Sequence, residues 1–128
     1  MDLQNMNEVT RWAYEEHLKR IRRKVSQYNH EAYKRGSEAT LEAEDYVLWS
    51  LAWRGRCAYC GGLRPGLMEH MVPLSRGGGN TLANVVPACV GCNNRKKNQT
   101  VEEWLGPEGY RDFMLRYNAA RETCELGG

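Results

Sequence analysis

No apolar run in the 128 residues approaches the roughly 18 needed to cross a bilayer, which excludes a helical membrane span. The opening Met1-Asp2-Leu3-Gln4-Asn5 lacks a basic stretch followed by an apolar one, so no secretory leader is expected and a cytoplasmic location is the default. No repeat or low-complexity tract occurs, and the length suits one domain with helical extensions. Acids are scarce in one place. Across residues 54–99, Glu69 is the sole acid beside Arg54, Arg56, Arg64, Arg76, Arg95, Lys96 and Lys97, a net charge of +6. Residues 1–53 sum to −1 and residues 100–128 to −3, so the overall +2 hides a basic centre. A basic patch suits phosphate contact, and it disfavours an adaptor that binds only other proteins.

The flanks read as helices. Tyr14, Leu18, Ile21, Val25, Tyr28 and Ala32 recur at spacings of four and three, one apolar stripe on a helix over 7–34. The stripe packs on the centre of the chain or serves as a dimer seam, so a homodimer or a larger nucleoprotein complex stays open. His17 and His30 read as surface residues. Thr40 can cap a second helix over 41–53, with Glu42, Glu44 and Asp45 in its first turns and Leu41, Leu48, Leu51 and Ala52 as its buried face. Trp49 and Trp53 read as packing residues rather than base-stacking ones. Thr100-Val101-Glu102-Glu103 fits a capping box opening a short helix through Leu105, and Gly106-Pro107 breaks it before a last helix. The tail after Glu122, with a free thiol at Cys124, reads as loose.

Cysteine is arranged rather than abundant. Cys57/Cys60 and Cys89/Cys92 form two Cys-x-x-Cys pairs enclosing 28 residues. In a reducing compartment such pairs read as metal ligands before disulfides. Four thiolates make a closed tetrahedral zinc site with no open position, so the zinc is structural. It would tie together the ends of a segment too poor in apolar residues to fold alone.

That enclosed segment reads strand, loop, strand, helix. Leu67–Val72 is the first strand. Pro73 through Asn80, with three glycines, reads as irregular. A second strand centres on Val85-Val86, and a helix starts near Cys92-Asn93. Asn93, Lys96 and Lys97 are three and four apart and share a helix face. Hydrolysis of a phosphodiester needs an activated water and stabilised charge. A histidine can take the water's proton near neutral pH. A carboxylate and an amide oxygen are hard ligands for magnesium or manganese. Cations hold the backbone. Each requirement has a candidate here, and the single acid argues for one catalytic metal.

Cys57-Ala58-Tyr59-Cys60, Glu69-His70-Met71-Val72-Pro73, Asn84-Val85-Val86-Pro87 and Cys89-Val90-Gly91-Cys92-Asn93-Asn94-Arg95-Lys96 together resemble the HNH endonuclease family in its four-cysteine zinc form. The resemblance implies a ββα-metal hairpin and helix acting on DNA. It implies His70 as general base, with Glu69 and Asn93 as ligands of a catalytic Mg2+ or Mn2+. Asn94 is a competing ligand, ranked second because Asn93 begins the Asn-x-x-Lys pattern. It implies that Asn84 steadies the loop and the histidine. Glu69 stands where aspartate is usual, so its carboxylate reaches further. Adjacent strand residues face opposite ways, so the strand must twist or end at Glu69-His70 for both to serve one site.

The expected fold is α+β: a small ββα-metal core with a four-cysteine zinc site, flanked by N- and C-terminal helices. The expected divisions are 1–39, 40–105 and 106–128. Arg76, Arg95, Lys96 and Lys97 are the expected nucleic-acid contacts. No separate recognition domain is evident, so low sequence specificity is expected. The alternative is a zinc-stabilised nucleic-acid-binding module without catalysis.

Overall fold

The structure is a computed structural model and describes residues 7–124. The expected leaderless start and the end of the tail lie outside these residues. Helix α1 runs over Glu8–Lys34 and α2 over Ala43–Ala52. Strands β1 (Leu67–His70) and β2 (Val85–Ala88) pair antiparallel, with Leu67 opposite Ala88 and His70 opposite Val85. Helix α3 (Val90–Lys96) follows directly, and α4 (Val101–Thr123) closes the described chain. The arrangement is the expected α+β one, with β1, β2 and α3 as the ββα unit.

The α1 stripe is buried as its spacing predicts. Leu18, Val25 and Ala32 lie inside, and Tyr14, Ile21 and Tyr28 pack at the margin. Helix α2 differs from expectation. It begins at Ala43 without a side-chain cap, and it buries Ala43, Tyr46, Val47 and Trp49. Of the expected face, Leu41 is buried and Ala52 packs at the margin, but Leu48 and Leu51 are exposed. This helix is apolar nearly all round, so spacing alone does not choose its inner face. Trp49 and Trp53 are core residues. The Trp49 indole donates to the Val85 carbonyl at 2.7 Å, and Trp53 stacks on Phe113 at 6.2 Å between centroids. One apolar core therefore joins α1, α2, the hairpin and α4.

Two boundaries move. Strand β1 stops at His70, two residues early, because the chain turns at Pro73 into a 3-10 turn over Leu74–Arg76 where irregular backbone was expected. Helix α3 starts at Val90, capped by the Cys89 sulfur, which accepts from the Cys92 amide. Within α4 the helix breaks at Gly106-Pro107 as expected, leaving a short first half and a longer second one. Gly106 adopts φ 75°, and Pro107 begins the second half. The Thr100–Glu103 capping box is present. Cys124 is a buried free thiol.

Candidate functional site

The first cysteine knuckle is a tight turn. The Cys57 amide donates to the Gly62 carbonyl at 2.8 Å, and the Gly62 amide points at Cys60 Sγ, 3.4 Å away. The second is the first turn of α3. The ends of the ββα unit thus bring Cys57, Cys60, Cys89 and Cys92 together, their sulfurs all within 4.8 Å of one another. Cys60 and Cys89 Sγ are 3.8 Å apart, about the edge of a tetrahedron with 2.3 Å Zn–S bonds. All four are free thiols. The amide of Cys92 holds Cys89 at a pKa of about 7, while burial pushes Cys92 up to about 12. Arg95 donates to Cys92 Sγ at 3.2 Å. The donor set and its spacing suit zinc.

Between the knuckles, β1 turns its side chains alternately to two sides. Glu69 faces α3. Lys96 Nζ, itself fully buried, donates to Glu69 Oε1 at 2.8 Å and to the His70 carbonyl at 3.0 Å. The Tyr59 hydroxyl donates to Glu69 Oε2. Burial raises the Glu69 pKa, and the Lys96 and Tyr59 hydrogen bonds oppose that rise. Tyr59 is pushed far above its ordinary value, first by burial and then by the Glu69 charge. Lys96 is therefore not on the surface where helical spacing put it. It neutralises the one acid of the basic segment. Asn93, half-buried on α3, lies one turn before Lys96.

His70 faces the other way, toward α1: the strand ends at this residue as expected, but no twist brings the two side chains to one side. Its ring meets Tyr28 edge-on at 4.7 Å between centroids. Its Nε2 is 2.9 Å from Asn80 Oδ1. The residue is 8% exposed, and burial lowers its pKa. Lys96 links the two sides, holding the side chain of Glu69 and the backbone of His70.

The glycine-rich loop is anchored, not free. Asn84 accepts from the Val72 amide at 2.9 Å and donates to the Val72 and Gly79 carbonyls, both at 2.9 Å. A Cβ on Gly78 would sit 1.9 Å from the Val72 carbonyl oxygen, so only glycine closes this loop. Asn84 is thus a loop clamp, and the side chain that holds the His70 ring is Asn80. Among the expected phosphate contacts, Arg76 pairs with Glu103 and holds its carboxyl down at about 2, Arg95 lies against the thiols, and Lys97 is exposed at the end of α3. Asn94 is exposed.

Sequence reasoning missed Tyr59, Asn80 and Asn29. Tyr59 carried a weak signal, an aromatic placed inside a zinc knuckle. Asn80 and Asn29 carried none, because their meeting is tertiary.

Glu69 and Asn93 are hard oxygen donors, and by type they fit a divalent cation. Each Glu69 oxygen keeps a lone pair beyond the bond it accepts, but the Lys96 ammonium already supplies positive charge there. Among the described residues, the four cysteines are the only group of three or more His, Cys, Asp or Glu close enough to hold a metal.

No helix among the described residues is long and apolar enough to cross a membrane. No curated protein matches the chain. Residues 57–99 match the family profile described as HNH endonuclease. The matched segment holds the four cysteines together with Glu69, His70, Asn84 and Asn93.

Proposed function

We propose that this chain hydrolyses DNA phosphodiester bonds, with His70 as the general base. The carrying observation is the clamped hairpin. The paired knuckles fix β1 against α3, so that Lys96, one turn after Asn93, reaches both Glu69 and the backbone of His70, the last residue of the strand. A buried, hydrogen-bonded histidine with a lowered pKa is neutral at pH 7, the state that accepts a proton from water. Glu69 and Asn93 would hold Mg2+ or Mn2+, which supplies charge stabilisation at the phosphate and the leaving oxygen. Lys96 keeps the Glu69 carboxyl oriented and its charge balanced until then. Tyr59 holds the second oxygen.

DNA is the favoured substrate because six of the seven cations in residues 54–99 are exposed, Lys96 being the internal one. Arg95 and Lys97 lie nearest the end of α3 and would meet phosphates. Arg76 would do so on releasing Glu103.

The second reading is a zinc-stabilised nucleic-acid-binding module without catalysis. The buried Lys96–Glu69 pair favours it, since a carboxylate already neutralised has less affinity for a cation. Nicking of supercoiled plasmid with magnesium or manganese separates the two. The nuclease reading expects cutting by the parent and a loss on the order of 10²–10⁴-fold in His70→Ala. Equal rates for the two proteins would leave the binding module.

A further inference from the structure

A chain of amides fixes which nitrogen of His70 carries the proton. It starts at the backbone carbonyl of Leu41, which can only accept. Asn29 Nδ2 donates to that oxygen at 3.1 Å, so the Asn29 oxygen points the other way. That oxygen accepts from Asn80 Nδ2 at 2.8 Å. The same Asn80 nitrogen lies 3.4 Å from the Val25 carbonyl, a second acceptor-only anchor. Asn80 must therefore present Oδ1 to His70. An oxygen facing Nε2 at 2.9 Å requires the proton to sit on Nε2. Turning either amide over would set two oxygens face to face at the Leu41 or the Val25 carbonyl.

The backbone makes this arrangement rigid. The Asn80 carbonyl accepts from the Thr40 and Leu41 amides at 3.2 and 3.0 Å, and its own amide donates to the Glu38 carbonyl at 2.8 Å. Asn80 is fully buried. The segment after α1 is thus zipped to the glycine loop at the residue that touches the histidine.

We propose that Asn80, oriented by Asn29 of α1, is a positioning residue that holds neutral His70 in the Nε2–H tautomer and leaves Nδ1 as the lone pair that takes the proton. This rests on the nuclease reading for its catalytic meaning. It makes α1 part of the catalytic unit rather than an appended helix. The polarity runs from two backbone carbonyls, so its source lies in the fold outside residues 57–99.

The test is long-range 1H–15N correlation NMR of the zinc-loaded chain with 15N-labelled histidine, together with plasmid nicking. The parent should show His70 protonated at Nε2 and bare at Nδ1. Asn29→Leu removes the acceptor that orients Asn80, so His70 should become a mixture of tautomers. Its kcat should fall roughly five- to tenfold, the ratio one neutral hydrogen bond imposes, with KM unchanged. Asn29→Asp keeps that acceptor but sets a second oxygen against the Leu41 carbonyl, so it should return the parent tautomer and part of the rate while lowering stability. A parent His70 protonated at Nδ1, or an Asn29→Leu variant with the parent's tautomer, overturns the proposal; the parent spectrum decides this even if the leucine variant does not fold. A parent that shows the expected tautomer yet cuts no DNA under either cation refutes the nuclease reading and leaves the tautomer control standing.

Discussion

Replacing Lys96 by methionine removes an ammonium while keeping a long apolar stem. In the parent that ammonium is fully buried and touches Glu69 at 2.8 Å and the His70 carbonyl at 3.0 Å. Stripping one member from a buried ion pair costs about 3–5 kcal/mol. A second route gives a similar size. Without Lys96 the carboxyl escapes by folding protonated, which costs about 1.4 kcal/mol for each pH unit above an unfolded value of about 4.3. At pH 7.5 that is roughly 4 kcal/mol, and at pH 5.5 roughly 1.5 kcal/mol. The sign follows from the direction of the shift. Burial raises the folded pKa of Glu69, so the variant holds more protons folded than unfolded and loses stability as pH rises. Urea unfolding of the zinc-saturated protein, followed by tryptophan fluorescence at both pH values, measures this. The double variant Lys96→Met/Glu69→Gln should recover much of the loss at pH 7.5. A single variant within about 0.5 kcal/mol of the parent, as for an ordinary surface change, would refute the buried pair. So would a loss that does not shrink at pH 5.5.

Three further outcomes follow from the same geometry. Purified protein should carry one zinc per chain with four sulfur neighbours at about 2.3 Å by X-ray absorption, and Cys60→Ser should lose the metal together with the tryptophan environment of the folded centre. The double variant Arg95→Ala/Lys97→Ala should weaken DNA binding across sequences and lower the slope of log affinity against log salt by up to about 2. Burial lowers the His70 pKa below its ordinary value, so the neutral base persists below pH 7; the cleavage rate, measured against pH at saturating cation, should stay level from pH 8 to about 6.5 and fall only in acid.

Much of the fold was legible because its signals are local. The stripe from Tyr14 to Ala32 fixes α1 by period alone, and Thr100-x-x-Glu103 marks the start of α4 by cap chemistry. The four cysteines declare their own meeting, since two Cys-x-x-Cys pairs are the donor set of a tetrahedral metal site. The rest depends on burial that sequence spacing does not encode. Lys96 shares a helix face with Asn93, and a lysine face reads as solvated until a buried acid is found beneath it. Glu69 and His70 alternate as strand residues must, so one meets α3 and the other α1. The partners of His70 are Asn80 and, behind it, Asn29 on a distant helix, and no motif links them. Leu48 and Leu51 of α2 face solvent against expectation because an evenly apolar helix has no period to read.

The account's central claim is a division of labour between the two sides of β1. It is tested most directly by plasmid cleavage rates across a titration of magnesium or manganese, for the parent, His70→Ala, Glu69→Ala and Asn93→Ala. His70→Ala should keep the parent's half-saturating cation concentration and lose on the order of 10²–10⁴-fold in maximal rate. Glu69→Ala and Asn93→Ala should shift half-saturation upward and regain part of their rate at high cation. Parent-level cleavage by His70→Ala, or a raised cation requirement in that variant alone, would contradict this division of labour.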